Sequence, residues 1–228
     1  MNMNFLGASA ITAVLATAAP ALAITVVLDD FDGSQLAIDD PFTGTSNSDT
    51  VAFGAGTRTV EAENITNGGN AQGATRLEVA GGLLQFSNNA NATGTGTLTY
   101  TNVGDIELGE NAFFDFNFLP FDGVARFMVT VMDTMMNTST YEEILLPGFD
   151  SRLFFSQFTG DADFNSVATL SFMIDSENVP AIPGSSPFVD GSLDSIEIGA
   201  VPLPATGLLL MGALGGAAAL RRRKQKAA

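Results

Sequence analysis

The 228-residue chain contains no cysteine, no histidine and no tryptophan. Without thiols it has no disulfide, so the fold must be held by its core. Without His or Cys, nucleophilic triads of the Ser-His-Asp and Cys-His kinds are excluded, and so are imidazole or thiolate zinc sites. Lysine occurs only at Lys224 and Lys226, which removes a lysine base from the rest of the chain. No GxGxxG or P-loop motif is present, so nucleotide chemistry lacks its usual signatures. Tyr100 and Tyr141 are the only tyrosines, and the flat Trp/Tyr platforms on which sugars stack are nearly missing.

Positive charge is scarce in a particular place. All 25 acidic residues lie in Ile24–Ala200, where only Arg58, Arg76, Arg126 and Arg152 oppose them, a formal charge of −21. Such a field repels nucleic acid and anionic lipid headgroups and excludes both as partners of this region. It favours solubility and attracts divalent cations. At 177 residues the region has the size of one domain with a substantial core.

The two ends are different in kind. Phe5–Ala16 is apolar but too short to span a bilayer, and Pro20 is followed by Ala21-Leu22-Ala23, the small-x-small pattern that signal peptidase accepts. This predicts a secretory signal helix cut after Ala23, with the terminal amine as the only cation of its n-region. At the other end, Ala205–Leu220 gives 16 residues without a charge. As a helix they cover ~24 Å of a ~30 Å hydrocarbon core, a span that local thinning and snorkelling arginines make feasible. Arg221, Arg222, Arg223 and Lys224 follow as a cytoplasmic membrane stop, leaving the acidic domain outside. A bare anchor needs nothing more, yet Val201-Pro202-Leu203-Pro204-Ala205 precedes it. Its two prolines hold the backbone extended, a shape that a membrane-embedded protease grips.

These three ordered parts resemble the VPLPA-CTERM branch of the PEP-CTERM sorting signals: a short Pro motif, a Leu/Gly/Ala-rich helix and a terminal Arg cluster. The resemblance covers the last 28 residues, Val201–Ala228. It implies a substrate of exosortases, integral-membrane cysteine transpeptidases of Gram-negative bacteria that also make exopolysaccharide. The tail would then be cut near the motif and the domain released or attached at the surface, with exopolysaccharide as a candidate partner. A rival sits in the same letters, since Leu203-Pro204-Ala205-Thr206-Gly207 also satisfies the LPxTG pattern of Gram-positive sortases. The preceding Val201-Pro202, the Gly/Ala-rich helix and the absence of a Pro- or Lys-rich wall linker favour the first. The expected organisation is a signal peptide at 1–23, an ectodomain at 24–200 and a sorting signal at 201–228. Within the last, the motif is 201–205, the transmembrane helix 206–220 and the basic end 221–228.

Period-2 alternation recurs through the ectodomain. Phe114, Phe116 and Phe118 share one face, as do Phe127, Val129 and Val131, and as do Ala168, Leu170, Phe172 and Ile174. Strands are predicted at 24–28, 57–62, 75–80, 83–87, 97–101, 114–118, 125–133, 141–146, 153–158, 167–174 and 195–198. Turns are predicted at Asn67–Asn70, Gly81-Gly82, Asn88–Gly96, Asp122-Gly123, Pro147-Gly148 and Pro183-Gly184, and longer loops at Asp39–Asp49 and Val179–Phe188. No stretch keeps a 3.6 period for three turns. The expected fold class is all-β, an antiparallel β-sandwich of jelly-roll type flanked by the signal helix and the transmembrane helix. Period-2 phenylalanines read as sheet core, and Met128, Met132, Met135 and Met136 as core filling and an edge loop.

The remaining chemistry is that of carboxylates. A glycosidase needs two of them across one cleft, but Glu142 and Glu143 point to opposite faces of a strand. The E-x-D-x-x-E pattern of sandwich-fold glucanases is absent, so no catalytic residue is assigned. Calcium makes better use of the acid. Asp161, Asp163 and Asn165 supply loop positions 1, 3 and 5, although Ser166 and Phe172 replace the Gly and Glu of an EF-hand. Asp29-Asp30-Phe31-Asp32-Gly33 is a second cluster, and Asp30 or Asp32 with Asp190 or Asp194 would join the first and last strands around Ca²⁺. The competing reading of each is a solvated acidic turn. The functional expectation is an exported envelope or matrix protein with a structural or adhesive role. The alternative is a secreted carbohydrate-binding module with structural calcium.

Overall fold

A computed structural model describes residues 24–40, 47–66, 73–89, 92–109, 111–119, 121–146, 152–177, 179 and 189–201. The signal segment with Ala21 and Ala23 lies outside these residues, as do Pro202, Leu203, Pro204, Ala205 and the basic end Arg221–Lys224. Of the sorting motif only Val201 is described. It is exposed, and its N–H donates to the Asn111 carbonyl at 3.4 Å.

Alternation builds the fold. In β9 (Ala125–Asp133) buried and half-buried residues alternate without a break. Phe127, Val129 and Val131 point inward, so Met128 and Met132 are forced onto the outer face. The expectation that they fill the core is corrected by the same period-2 rule. Met135 and Met136 occupy the turn that follows and are exposed.

Among the described residues two antiparallel sheets of seven strands result. The first holds β1 (Ile24–Asp29), β2 (Gln35–Asp39), β5 (Thr75–Ala80), β6 (Leu83–Asn88), β8 (Ala112–Phe118), β11 (Arg152–Phe154) and β14 (Asp190–Ala200). Its order is β11-β8-β14-β6-β5-β2, with β1 also paired to β14. The second runs β12 (Thr159–Gly160), β10 (Thr138–Leu145), β9, β13 (Val167–Asp175), β7 (Thr93–Gly104), β4 (Gly56–Thr66) and β3 (Ser48–Phe53). Among the described residues the only helical piece is a 3-10 turn at Phe155–Gln157, and no helix is long and apolar enough to cross a membrane.

The core lies between the sheets. Phe114 and Phe116 from the first meet Phe172 and Phe127 from the second. Ring centroids are 5.8 Å apart for Phe114–Phe172 and 5.1 Å for Phe116–Phe127, both edge to face. Each such pair adds ~0.5–1.5 kcal/mol beyond the area it buries. Leu77, Val79, Ile196, Val60, Leu98 and Leu170 complete the contact.

Several expected boundaries shift. The predicted turn Asn88–Gly96 is overtaken by β7, which starts at Thr93. Gly94 and Gly96 occupy inward strand positions there because the space is taken. A Cβ on Gly96 would lie 2.6 Å from the Phe86 ring, and one on Gly94 2.1 Å from the Glu63 carbonyl. The strand predicted at 153–158 divides into β11 and the 3-10 turn. In β13 a bulge between Val167 and Thr169 turns Val167 inward, leaving Ala168 only half-buried. Strands β2 and β3 occupy ground on either side of, and partly within, the predicted loop Asp39–Asp49, whose residues 41–46 lie outside the described ones. The predicted loop Val179–Phe188 also lies almost wholly outside them.

Candidate functional site

Three adjacent strands of the first sheet, β14, β6 and β5, present their outer faces together. The β14–β6 register sets Asp190 opposite Ser87 and Ser192 opposite Gln85. The β5–β6 register sets Ser87 opposite Arg76 and Gln85 opposite Glu78. Two rows of three polar side chains follow, Asp190–Ser87–Arg76 and Ser192–Gln85–Glu78. Their spacing is ~4.8 Å between strands and ~6.7 Å along them. Around this grid lies an open cleft of about 260 Å³, lined also by Gly191 and Phe86.

The electrostatics of the cleft are uneven. Arg76 is its one cation and is paired with Glu78 two residues along the same strand. The Arg76 Nε is buried and has no hydrogen-bond partner. At the far end Asp190 forms an isolated β-bridge with Asp122, each N–H donating to the other's carbonyl at 3.2 and 2.8 Å. Residues directly opposite in such a bridge project to the same side, so two carboxyl groups share one corner. Partial burial pushes the Asp190 carboxyl above the ordinary range, and the Asp122 charge adds to the shift.

The floor of this corner depends on one missing side chain. Gly191 faces inward between Asp190 and Ser192, and a Cβ there would sit 2.1 Å from Phe121 Cδ2. The Phe121 ring therefore closes over Gly191, beside Leu84, Phe86, Phe118, Ile174 and Leu193, and plugs the end of the core. Asp122 follows Phe121 directly, so the same packing that seats the ring holds Asp122 opposite Asp190, on the side of β14 away from β6.

The residues read from sequence as calcium ligands are distributed as follows. Asp190 stands at the cleft. Asp194 is exposed on the same outer face and accepts from Asn117 Nδ2 at 2.9 Å. Asp163 accepts from the Asn165 N–H at 2.9 Å and from Asn165 Nδ2 at 3.0 Å, and these bonds hold its carboxyl below the ordinary range. Asp161 is exposed beside them. Asp30 and Asp32 are exposed, linked only by an Asp32 N–H to Asp30 carboxylate contact at 3.4 Å. Among the described residues no group of three or more His, Cys, Asp or Glu is placed to hold a metal ion.

The loop Asp29–Gly33 instead closes around an internal cation. Arg58, from β4 in the opposite sheet, is 2% exposed and reaches Asp29, equally buried. Its Nη1 straddles both Asp29 carboxylate oxygens at 2.8 Å, its Nη2 donates to the Asp32 carbonyl at 3.1 Å, and its Nε donates to Gln35 Oε1 at 2.6 Å. Tyr100 donates its hydroxyl to Asp29 Oδ2, and the Phe31 N–H reaches Oδ1 at 2.7 Å. Burial first, and then the Asp29 charge, push the Tyr100 phenol well above its ordinary value. Gln35 passes the network on to the carbonyls of Asp49 and Arg58. Sequence reading missed this cluster, because nothing in a single chain pairs position 29 with position 58. A faint signal existed: the four arginines of residues 24–200, among 25 acids, leave a buried arginine little competition for a carboxylate partner.

No family model matches the chain, and no curated protein sequence matches it significantly. Among solved structures it is similar to an agarase, AgWH50C, at 9% identity and a TM-score of 0.44, covering 78% of this chain and 25% of that one. A structure of another protein, PfGH50B, gives 7% identity and 0.42, with 64% of this chain covered. The chain spans about a quarter of the length of each of these two. A family 11 carbohydrate-binding module of a Clostridium thermocellum cellulosomal cellulase is similar at 14% identity and a TM-score of 0.36, covering 79% of this chain and 95% of the module.

Proposed function

We propose that the sandwich is a carbohydrate-binding module that acts by binding and carries out no reaction of its own. The observation that carries the proposal is the polar grid on β14, β6 and β5: six hydrogen-bonding side chains in an open cleft, with an orphan Arg76 Nε among them. Sugar hydroxyls both donate and accept, and Gln85, Ser87 and Ser192 match them in both senses. Strand anchoring keeps these groups in fixed positions, so little ordering entropy is lost on binding. We read the fold as an elaborated jelly roll, since the chain passes repeatedly between the sheets, from β4 to β5, β6 to β7, β7 to β8 and β13 to β14.

The proposal includes the delivery route read from the sequence. A signal cut after Ala23 exports the domain, and exosortase-type processing at Val201–Ala205 leaves it at the cell surface or in the surrounding matrix. There, glycan binding gives it an adhesive role. The test is a glycan array probed with the full chain and with a Gln85→Ala/Ser192→Ala variant. Each lost hydrogen bond is worth ~0.5–1.5 kcal/mol, or about 2- to 12-fold in affinity. Retention of one sugar class by the wild type and its loss by the variant is expected. Silence across the array, or binding unaffected by the variant, refutes the module reading. Mass measurement of native material tests the route, and a chain still ending in Arg-Arg-Arg-Lys-Gln-Lys-Ala-Ala refutes processing.

A further inference from the structure

We propose that the turn between β9 and β10 is an oxidative modification site, at which the thioethers of Met135 and Met136 each take one oxygen atom from a peroxide. The site is separate from the cleft on the first sheet and does not depend on glycan binding.

The chain has no cysteine and no tryptophan, so its methionine thioethers are its most readily oxidised side chains. Exposure sorts them. Among the described residues Met128, Met132 and Met173 are half-buried on the outer face of the second sheet, where the register sets Met128 directly opposite Met173. Met135 is 81% exposed and Met136 77%, so an oxidant in solvent meets these two sulfurs first.

The turn is also built so that a change at these side chains leaves it standing. Met136 has a φ of +69°, in the left-handed region where glycine or asparagine would sit with less strain. Such a conformation persists only where the surroundings fix it, and here Asp133, 2% exposed, does so. Its carbonyl accepts from the Met136 N–H at 3.1 Å, and its own N–H donates to the Asn137 carbonyl at 3.0 Å. Its carboxylate accepts from the Met135 N–H at 2.8 Å, from the Asn137 N–H and Nδ2 at 2.9 Å each, and from the Asp163 N–H at 3.1 Å. Every one of these bonds is made by backbone or by the side chains of Asp133 and Asn137, and neither methionine belongs to the core cluster. A sulfoxide is polar and disrupts a core that it enters. At this turn it breaks no bond and opens no packing.

The chemistry is an oxygen-atom transfer. A sulfur lone pair attacks the outer oxygen of the hydroperoxide, and the S–O bond forms as the O–O bond breaks. The sulfur is oxidised by two electrons and the peroxide is reduced by the same two. The proton on the transferred oxygen passes to the oxygen left behind, which departs as water from hydrogen peroxide or as an alcohol from an organic hydroperoxide.

The test exposes the full chain, in peroxide-free mild detergent, to excess hydrogen peroxide. Timed samples are quenched, and fragment-ion mass spectrometry locates the oxygen within residues 125–177. Met135 and Met136 are expected to react within about threefold of the rate of free methionine, and Met128, Met132 and Met173 at least about tenfold more slowly. In denaturing urea the five rates should converge, since the fold alone separates them. The doubly oxidised protein should keep the urea midpoint of the untreated one. Met135→Leu/Met136→Leu is expected to fold normally and to lose the fast uptake in this region. Oxidation of Met128, Met132 or Met173 as fast as the turn pair in the folded protein overturns the inference. So does a rate difference that survives in urea, because shielding by the fold is then not its cause. A lowered urea midpoint after oxidation of Met135 and Met136 alone, or fast uptake in this region that persists in the leucine variant, overturns it as well.

Discussion

Arg58 offers the sharpest test of how the two sheets are joined. Arg58→Met keeps most of the aliphatic stem and removes a guanidinium that spends all three nitrogens on Asp29, Gln35 and the Asp32 carbonyl. The Asp29 carboxylate, 2% exposed, is then left with the Tyr100 hydroxyl and the Phe31 N–H. Removing one partner of a buried ion pair costs ~3–5 kcal/mol, because the survivor remains charged and dry. Asp29→Asn makes the mirror-image change and is expected to cost a similar amount. The informative variant is the double one, Asp29→Asn/Arg58→Met, which leaves no buried charge. It is expected to be no less stable than either single variant, a coupling of ~3 kcal/mol or more. With no tryptophan in the chain, urea unfolding of the full chain followed by far-UV circular dichroism is the suitable assay. An Arg58→Met cost below ~1 kcal/mol, or single costs that add to within ~0.5 kcal/mol in the double variant, refutes the account of this network as a closed buried pair.

Gly191→Ala places a methyl 2.1 Å from the Phe121 ring and forces it out of its seat, with an expected loss of ~1–3 kcal/mol in the same assay. An unchanged unfolding midpoint would show that Phe121 is not fixed there. Asp190 carries a raised carboxyl pKa in the fold, so its contribution to stability is fully present below the ordinary 3.8 and is lost as pH rises through the raised value. Asp190→Asn should therefore gain on the wild type across that window, and equal pH profiles would contradict the crowded corner. Asp133 behaves in the opposite sense. Its carboxylate accepts from Asn137 Nδ2 and from the N–H groups of Asn137, Met135 and Asp163, and its pKa is lowered. The stability it supplies is present above 3.8 and lost as pH falls through the lowered value. Asp133→Asn should thus be the less stable protein at neutral pH, with the gap closing only in acid.

What the sequence made legible was the strand pattern wherever inward positions carry large apolar groups. β9 alternates Phe, Val and Val inward, and its expected limits, 125–133, match the structure. β2 hides from such a reading because its buried positions are Gln35 and Ala37, one polar and one small. The start of β7 hides because Gly94 and Gly96 signal a turn to anyone counting residues, whereas the fold uses them as gaps for Phe86 and the Glu63 carbonyl. Of the candidate site, Asp190 was singled out, though as a metal ligand. Its neighbours Arg76, Glu78, Gln85, Ser87 and Ser192 were not, because their proximity is a property of register between strands up to 116 positions apart in the chain (Arg76 to Ser192). Strand pairing in a sandwich is non-local, and a polar residue on an outer face leaves no trace of which partner it will meet.

The position of β14 has a mechanical consequence. It is the last strand before Val201 and lies in the interior of its sheet, held by β8 along one edge and by β6 and β1 in succession along the other. Traction applied beyond Val201 therefore runs along that strand, and its hydrogen bonds on both flanks resist together instead of peeling away singly. A domain tethered from this end would bear load through its strongest row of bonds. One tethered through β1, which among the described residues is paired on one side only, would unzip.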